Sequence, residues 1–221
     1  MNENIKWLFF DMGGVILDDT KAETLRQEIL LDVAKRYFPN LSKVDIYEAW
    51  LYASQHPGSV RTNALYYIFK DSEFKAEAED IYKKECNVDY YDLSVVRPEA
   101  QEILAKLSEH FNLGIMANQN VKAGNVLEDA GLLQYFSHQK MSGHLDLAKP
   151  NPKFYLEILK DSGAVPSESI LIDDNWYRGL LQAKEIGLGT ILYKREIIPY
   201  PDDAKPDKFI SSLNELLDIF G

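Results

Sequence analysis

The chain has 221 residues, enough for one substantial core with room for an inserted unit. Hydrophobic residues at 46% and charged residues at 27% exclude a disordered chain, and a net charge of -11 argues against nucleic acid or an anionic membrane as a partner. The single cysteine, Cys86, excludes an internal disulfide and fits a reducing compartment. With no apolar run long enough to span a membrane, the expectation is a cytoplasmic protein, monomeric or homodimeric. Anionic small substrates stay compatible with the charge, because a bound cation reverses the local field.

Residues 5–10 form an apolar run that reads as a buried strand and ends on Asp11. Gly13 and Gly14 follow, so the backbone can turn sharply and approach a ligand. From Thr20 to Phe38 the period becomes helical, with Ala22, Leu25, Ile29, Val33 and Tyr37 on one face. Pro39-Asn40 stops that helix and Ser42 caps the next, which carries Ile46, Trp50 and Leu51. A turn at His56-Pro57-Gly58-Ser59 precedes two more helical segments, Asn63 to Phe69 and Phe74 to Cys86. Residues 18–94 thus read as about four helices with no strand between them.

At Arg97-Pro98-Glu99 a helix starts, burying Ile103, Leu104 and Leu107. Residues 112–116 form a short strand ending at Ala117-Asn118, and Val121 to Ala130 a helix closed by Gly131. A short strand around residues 135–141 is followed by a helix from Pro152 to Ser162, stopped by Gly163. Ser169 to Ile172 is a strand ending on Asp173-Asp174, and Tyr177 to Ile186 a helix ending at Gly187. Thr190 to Tyr193 is the next strand and Ser211 to Phe220 a terminal helix.

Strands alternate with helices after residue 97, which predicts crossover units and a parallel sheet. The expected fold is an α/β, Rossmann-like parallel core made of residues 1–17 and 95–221. The helical block 18–94 is inserted after the first strand and covers the carboxyl ends of the strands as a cap. Asp11, Asn118, Asp173 and Asp174 all close strands that would share one edge, and Lys149 precedes Pro150-Asn151-Pro152 at the mouth of a helix. Clustered carboxylates repel and hold protons more tightly unless cations intervene. A hard divalent ion together with a lysine resolves this, and magnesium suits a few carboxylates that share a phosphate.

At this point the residues resemble a family. Phe10-Asp11-Met12-Gly13-Gly14-Val15, Gly114-Ile115-Met116-Ala117-Asn118, Lys149-Pro150-Asn151-Pro152 and Ile172-Asp173-Asp174-Asn175 are similar, in order and in place, to the four motifs of the haloacid dehalogenase-like hydrolases with a helical cap. The first motif, with its Asp-x-Gly-x-Val pattern, and the Asp-Asp pair are closest to a branch of sugar-phosphate phosphatases. The resemblance implies a magnesium-dependent phosphatase of a small phosphorylated metabolite. Asp11 would be the nucleophile and form an aspartyl-phosphate. Magnesium would sit on Asp11, the carbonyl of Gly13 and Asp174, with Asp173 in support. Lys149 would bind phosphoryl oxygens, Asn118 would either touch the substrate or hold its loop by hydrogen bonds, and Gly14 would allow the turn and lie against the substrate.

Two departures stand out. Most phosphatases of the family carry a second aspartate where Gly13 stands, to protonate the leaving group and activate water. They also carry Ser or Thr where Ala117 stands. These losses leave open a catalytically weak or inactive binding protein. A haloacid dehalogenase is less favoured, because an extra carboxylate beside the nucleophile repels an anionic substrate. The histidines show no ligand spacing, Cys86 reads as a buried apolar residue of the cap, and Asp18 and Asp19 read as helix caps, with Asp18 a remote candidate for the proton donor.

Overall fold

The computed structural model describes residues 4–197 and 200–221. Six parallel strands form its central sheet: β1 (Trp7–Phe10), β4 (Asn112–Ile115), β5 (Phe136–His138), β6 (Ser169–Asp173), β7 (Gly189–Tyr193) and β8 (Lys208–Ile210). Their spatial order is β5-β4-β1-β6-β7-β8. Side chains alternate across β1. Leu8 and Phe10 pack on one face among Ile103, Leu104, Leu127 and Leu216, from helices α5 (Ala100–Ser108), α6 (Lys122–Asp129) and α9 (Glu215–Phe220). Phe9 packs on the other face among Phe154, Ile158 and Ala183, from α7 (Pro152–Ser162) and α8 (Leu181–Ile186). The sheet is therefore buried on both sides, as its apolar strands require.

Register levels the carboxyl edge. Phe10 stands opposite Ile115 on one side and Ile172 on the other. The ladder continues for one step past each strand, with Asp11 N–H on the Ile172 carbonyl and Met116 N–H on the Phe10 carbonyl, both at 2.9 Å. Residues that follow β1, β4 and β6 thus meet at one level, at the point where the chain order reverses across the sheet.

Four helices follow β1: α1 (Thr20–Lys35), α2 (Lys43–Ser54), α3 (Val60–Phe69) and α4 (Lys75–Glu85). They share a core of their own, in which Leu30, Val33, Trp50, Leu65 and Phe69 are buried. Two strands invisible to the hydrophobic pattern close the base of this block. β2 (Leu17–Asp18) pairs antiparallel with β3 (Val95–Val96). Arg97 reinforces the joint by donating from Nε to the Val15 carbonyl and from Nη2 to the Gly14 carbonyl, both at 2.9 Å. The expected boundaries at residues 17–18 and 94–95 fall inside or beside this ribbon, and residues 1–3 of the expected core lie outside the described residues.

Elsewhere the differences are local. The terminal helix starts at Glu215, not Ser211, because Lys208–Ile210 pair with β7 and Ser211 and Ser212 N–H groups bind Glu215 Oε1. Cys86 is half-buried rather than buried, since it caps α4 at the edge of the helical block. Residues Trp176–Leu180 form a π-helical turn ahead of α8, where the periodicity alone predicts one α-helix.

Phe69 has no exposed surface and packs its ring on Tyr37 and Phe38. Phe69→Ala should cost about 3–5 kcal/mol in urea denaturation. Tyr47→Ala, at a position 48% exposed on the same block, should change stability by no more than ~0.5 kcal/mol.

Candidate active site

Asp11 continues β1 at the levelled edge and Asp173 ends β6, which puts both carboxylates beneath one cavity. Lys149 reaches between them, its Nζ 2.6 Å from Asp11 Oδ1 and 2.5 Å from Asp173 Oδ2. The lysine is set by its backbone. Asn118 donates from Nδ2 to the Lys149 carbonyl at 2.9 Å and accepts the Lys149 N–H on Oδ1 at 2.8 Å. Asn151 caps α7 by accepting the Lys153 N–H, with Pro152 in the first turn, so the loop carrying Lys149 is braced at both ends. Asn118 lines the cavity, but its amide is spent on the lysine loop.

Asp174 turns the other way. It accepts from Arg195 Nη1 at 2.8 Å, and the second arm of Arg195 binds Asp19. Asp19 also accepts the Tyr90 hydroxyl at 2.5 Å, and Tyr90 lies under the guanidinium of Arg26, 4.9 Å from ring centre. Arg26 pairs with Glu23, which accepts from Trp50 Nε1 at 3.3 Å. A continuous run of charged and aromatic groups thus leads from the sheet edge into the helical block. All of them line the same cavity of about 520 Å³ with Asp11 and Lys149.

The glycines have different reasons. Gly14 has φ +76°, and a Cβ there would run into the Asp174 and Arg195 side chains. It is buried behind that pair and supports the turn. Beside Gly13 a Cβ would stand 2.7 Å from Tyr90 Oη, 3.2 Å from Gln119 Nε2 and 3.3 Å from Asp19 Oδ2. The place where a side chain at residue 13 would project is therefore filled from the helical block and the loop after β4. Ala117 is fully buried in the core. Asp18 lies apart: its Oδ1 caps the Thr20 N–H at 3.0 Å and it faces Arg97.

Electrostatics follow from this crowding. Burial pushes the Asp11 carboxyl up to about 7 against the pull of Lys149, and Asp173 and Asp174 add to the rise. Burial likewise raises Asp174 to about 6, although Arg195 opposes it. Burial works against the charge on Lys149, but Asp11 and Asp173 outweigh it and hold the ammonium above its ordinary range. A single ligand oxygen from each of Asp11, Asp173 and Asp174 fits within 4.8 Å of the other two. Lys149 and the Asn175 N–H occupy both oxygens of Asp173, which leaves Asp11 and Asp174 the freer carboxylates. This donor set, all hard oxygen with paired cations behind it, fits a divalent ion such as magnesium.

Asp11, Gly13, Asn118, Lys149, Asp173 and Asp174 therefore line one cavity, with Gly14 beneath it. Sequence reasoning missed Asp19, Glu23, Tyr90, Arg178 and Arg195. Arg195 could have been found: it lies two residues past β7 on the same strand edge that singles out the acids. The others come from the helical block and the π turn, where no local pattern marks them.

Residues 5–187 match the haloacid dehalogenase-like hydrolases, and the chain belongs to that family. Among curated proteins it is 26% identical to glyceraldehyde 3-phosphate phosphatase of Methanopyrus kandleri, over 97% of each chain. It is 28% identical to phosphoserine phosphatase of Thermus thermophilus, over 54% of this chain and 49% of the other. Among solved structures the fold is similar to a HAD phosphatase from Thermococcus onnurineus (TM-score 0.63, 23% identity, 98% of each chain). It is also similar to a 2-haloacid dehalogenase from Pseudomonas syringae pv. Tomato DC3000 (TM-score 0.60, 21% identity, 98% of each chain). The architecture is common to both chemistries, so the side chains must distinguish them.

A carboxyl raised from 3.8 to about 7 binds its proton more tightly folded than unfolded, so the stability it confers is present at acid pH and lost as pH rises through 7. In chelator at pH 8, Asp11→Asn should therefore raise the melting temperature by roughly 5 °C. Differential scanning calorimetry should show the gain shrinking toward pH 5.

Proposed function

We propose that the protein is a magnesium-dependent phosphatase of a small phosphorylated metabolite, with Asp11 as nucleophile. The observation that carries this reading is the convergence of Asp11, Asp173 and Asp174 in one cavity, with Lys149 bound to the first two and Arg195 to the third. Three buried carboxylates repel an anionic substrate unless cationic charge is added, which counts against metal-free carbon–halogen hydrolysis here. Similarity to the glyceraldehyde 3-phosphate and phosphoserine phosphatases supports the same choice. In this reading residues 18–94 act as the cap, and Glu23, Arg26, Trp50 and Tyr90 wall the pocket from that side.

The ion would rest on Asp11 and Asp174, with the Gly13 carbonyl as a third protein oxygen and Asp173 in support. When bound, it neutralises phosphoryl charge and holds Asp11 ionised at neutral pH. Asp11 then attacks phosphorus: a carboxylate O–P bond forms, the ester P–O bond breaks, and the leaving oxygen takes its proton from water. Lys149 stands against Asp11 and stabilises charge developing on the phosphoryl oxygens. Water hydrolyses the aspartyl-phosphate, releasing phosphate and restoring Asp11. The helical block keeps bulk water from the reacting atoms.

Residue 13 carries no acid, and Tyr90, Asp19 and Gln119 fill its place. Positioned acid–base groups contribute about 10²–10⁴-fold, so turnover of alkyl phosphates should be slow. A panel of phosphorylated metabolites assayed for phosphate release with magnesium and with chelator tests the reading. We expect magnesium-dependent release, lost by at least ~10³-fold in Asp11→Asn. An aryl phosphate with an acidic leaving group should react faster than an alkyl ester of similar size. Equal release in chelator, or an unaffected Asn variant, would rule the reading out. Saturable magnesium binding with no turnover on any ester would favour a ligand-binding role for the same pocket.

A further inference from the structure

Most arginines of the structure have a partner that accounts for their charge. Arg195 holds Asp174 and Asp19, Arg26 holds Glu23, Arg36 pairs with Glu85, and Arg97 binds the Val15 and Gly14 carbonyls. Arg178 is different. It lines the same cavity as Asp11 and Lys149, and its Nε is buried with no hydrogen-bond partner among the described residues. No ion pair joins its guanidinium to a described carboxylate. Burial pushes its pKa down, while Asp173, Asp11 and Asp174 sustain the charge from a distance. A buried donor without a partner is costly, more so when charged, so a group kept in that state calls for a ligand or a structural reason.

The backbone around Arg178 is built to hold the side chain where it is. The residue is the third of the π turn Trp176–Leu180 that follows Asp173-Asp174. Its N–H donates to Asn175 Oδ1 at 2.9 Å, and its carbonyl accepts the Tyr155 hydroxyl at 3.1 Å. The same hydroxyl donates to the Gly179 carbonyl at 2.8 Å. Gly179 is required because a Cβ there would run into the Asp173 carboxylate. Buried Tyr155 and the carboxylate thus fix the turn that carries the arginine. A π turn inserts one residue into a helical ladder, and such bulges are common at functional sites.

The groups that the sequence marks for phosphoryl contact are already engaged or absent. Lys149 is shared between Asp11 and Asp173, Asn118 is consumed by the lysine loop, and Ala117 offers only a methyl group. A guanidinium presents its N–H groups as a planar fork that matches two oxygens of a tetrahedral oxyanion. The geometry points to Arg178 as a binding residue for the phosphoryl oxygens of a phosphate monoester seated before Asp11. This rests on the phosphatase reading above.

Calorimetric binding of inorganic phosphate, in magnesium, tests the contact apart from turnover. Arg178→Gln should weaken phosphate binding about 10- to 100-fold, the usual range for a hydrogen bond to a charged group. Circular dichroism should show its fold unchanged. If the Gln variant fails to fold, Arg178→Met keeps the packing of the stem and should show the same loss. Phosphate binding within twofold of wild type in a folded variant overturns the contact and leaves the phosphatase reading standing. Wild-type protein that binds no phosphate overturns it as well. A variant weakened as expected, in a protein that releases phosphate from no ester, supports the contact and removes the phosphatase reading.

Discussion

The bond on which the site depends is the one Lys149 makes to two carboxylates at once. Asp11 and Asp173 end neighbouring parallel strands, and register alone would press their charges together at the centre of the sheet edge. A buried ammonium between them makes that placement tolerable. Its position is not left to a flexible stem, because Asn118 grips the Lys149 backbone from both sides. Three strand ends and one helix start are thereby tied into one unit, and a change in any of them is felt at Asp11.

That arrangement stays short of balance. Burial outweighs the pull of Lys149 on Asp11 and of Arg195 on Asp174, which leaves Asp11 raised to about 7 and Asp174 to about 6. The remaining imbalance is what suits the pocket to a divalent ion and a phosphoryl group together. From Asp174 the charge pairing runs through Arg195, Asp19 and Tyr90 to Arg26 and Glu23. The sheet edge and the helical block are coupled by polar contacts rather than a shared apolar core, and Tyr90 and Asp19 end where a side chain at residue 13 would stand.

Much of this was legible in the chain. A run such as Leu8-Phe9-Phe10 ending on Asp11 marks a strand and its functional end together, because a buried strand tolerates a carboxylate only where it emerges. The same logic found Asp173, Asp174 and Asn118, and proline with Asn151 marked the loop of Lys149. The β2–β3 ribbon was not legible, since two residues on each side carry no period and its stability lies in pairing across the whole helical block. The π turn was hidden because Trp176, Leu180 and Ala183 satisfy an ordinary helical reading, while the close approach of Asp173 to Gly179, which leaves no room for a Cβ, is a tertiary contact that no local pattern marks. Tyr90 and Glu23 belong to amphipathic surroundings in which nothing local separates a pocket wall from a packing residue.

We propose that Asp11 attacks phosphorus. Rapid quenching of the enzyme during turnover of a phosphorus-labelled ester, followed by peptide mapping, addresses it directly. The account predicts label on the peptide containing Asp11, discharged by hydroxylamine as an acyl phosphate is. Turnover without label on that peptide, or label on another residue, would contradict it.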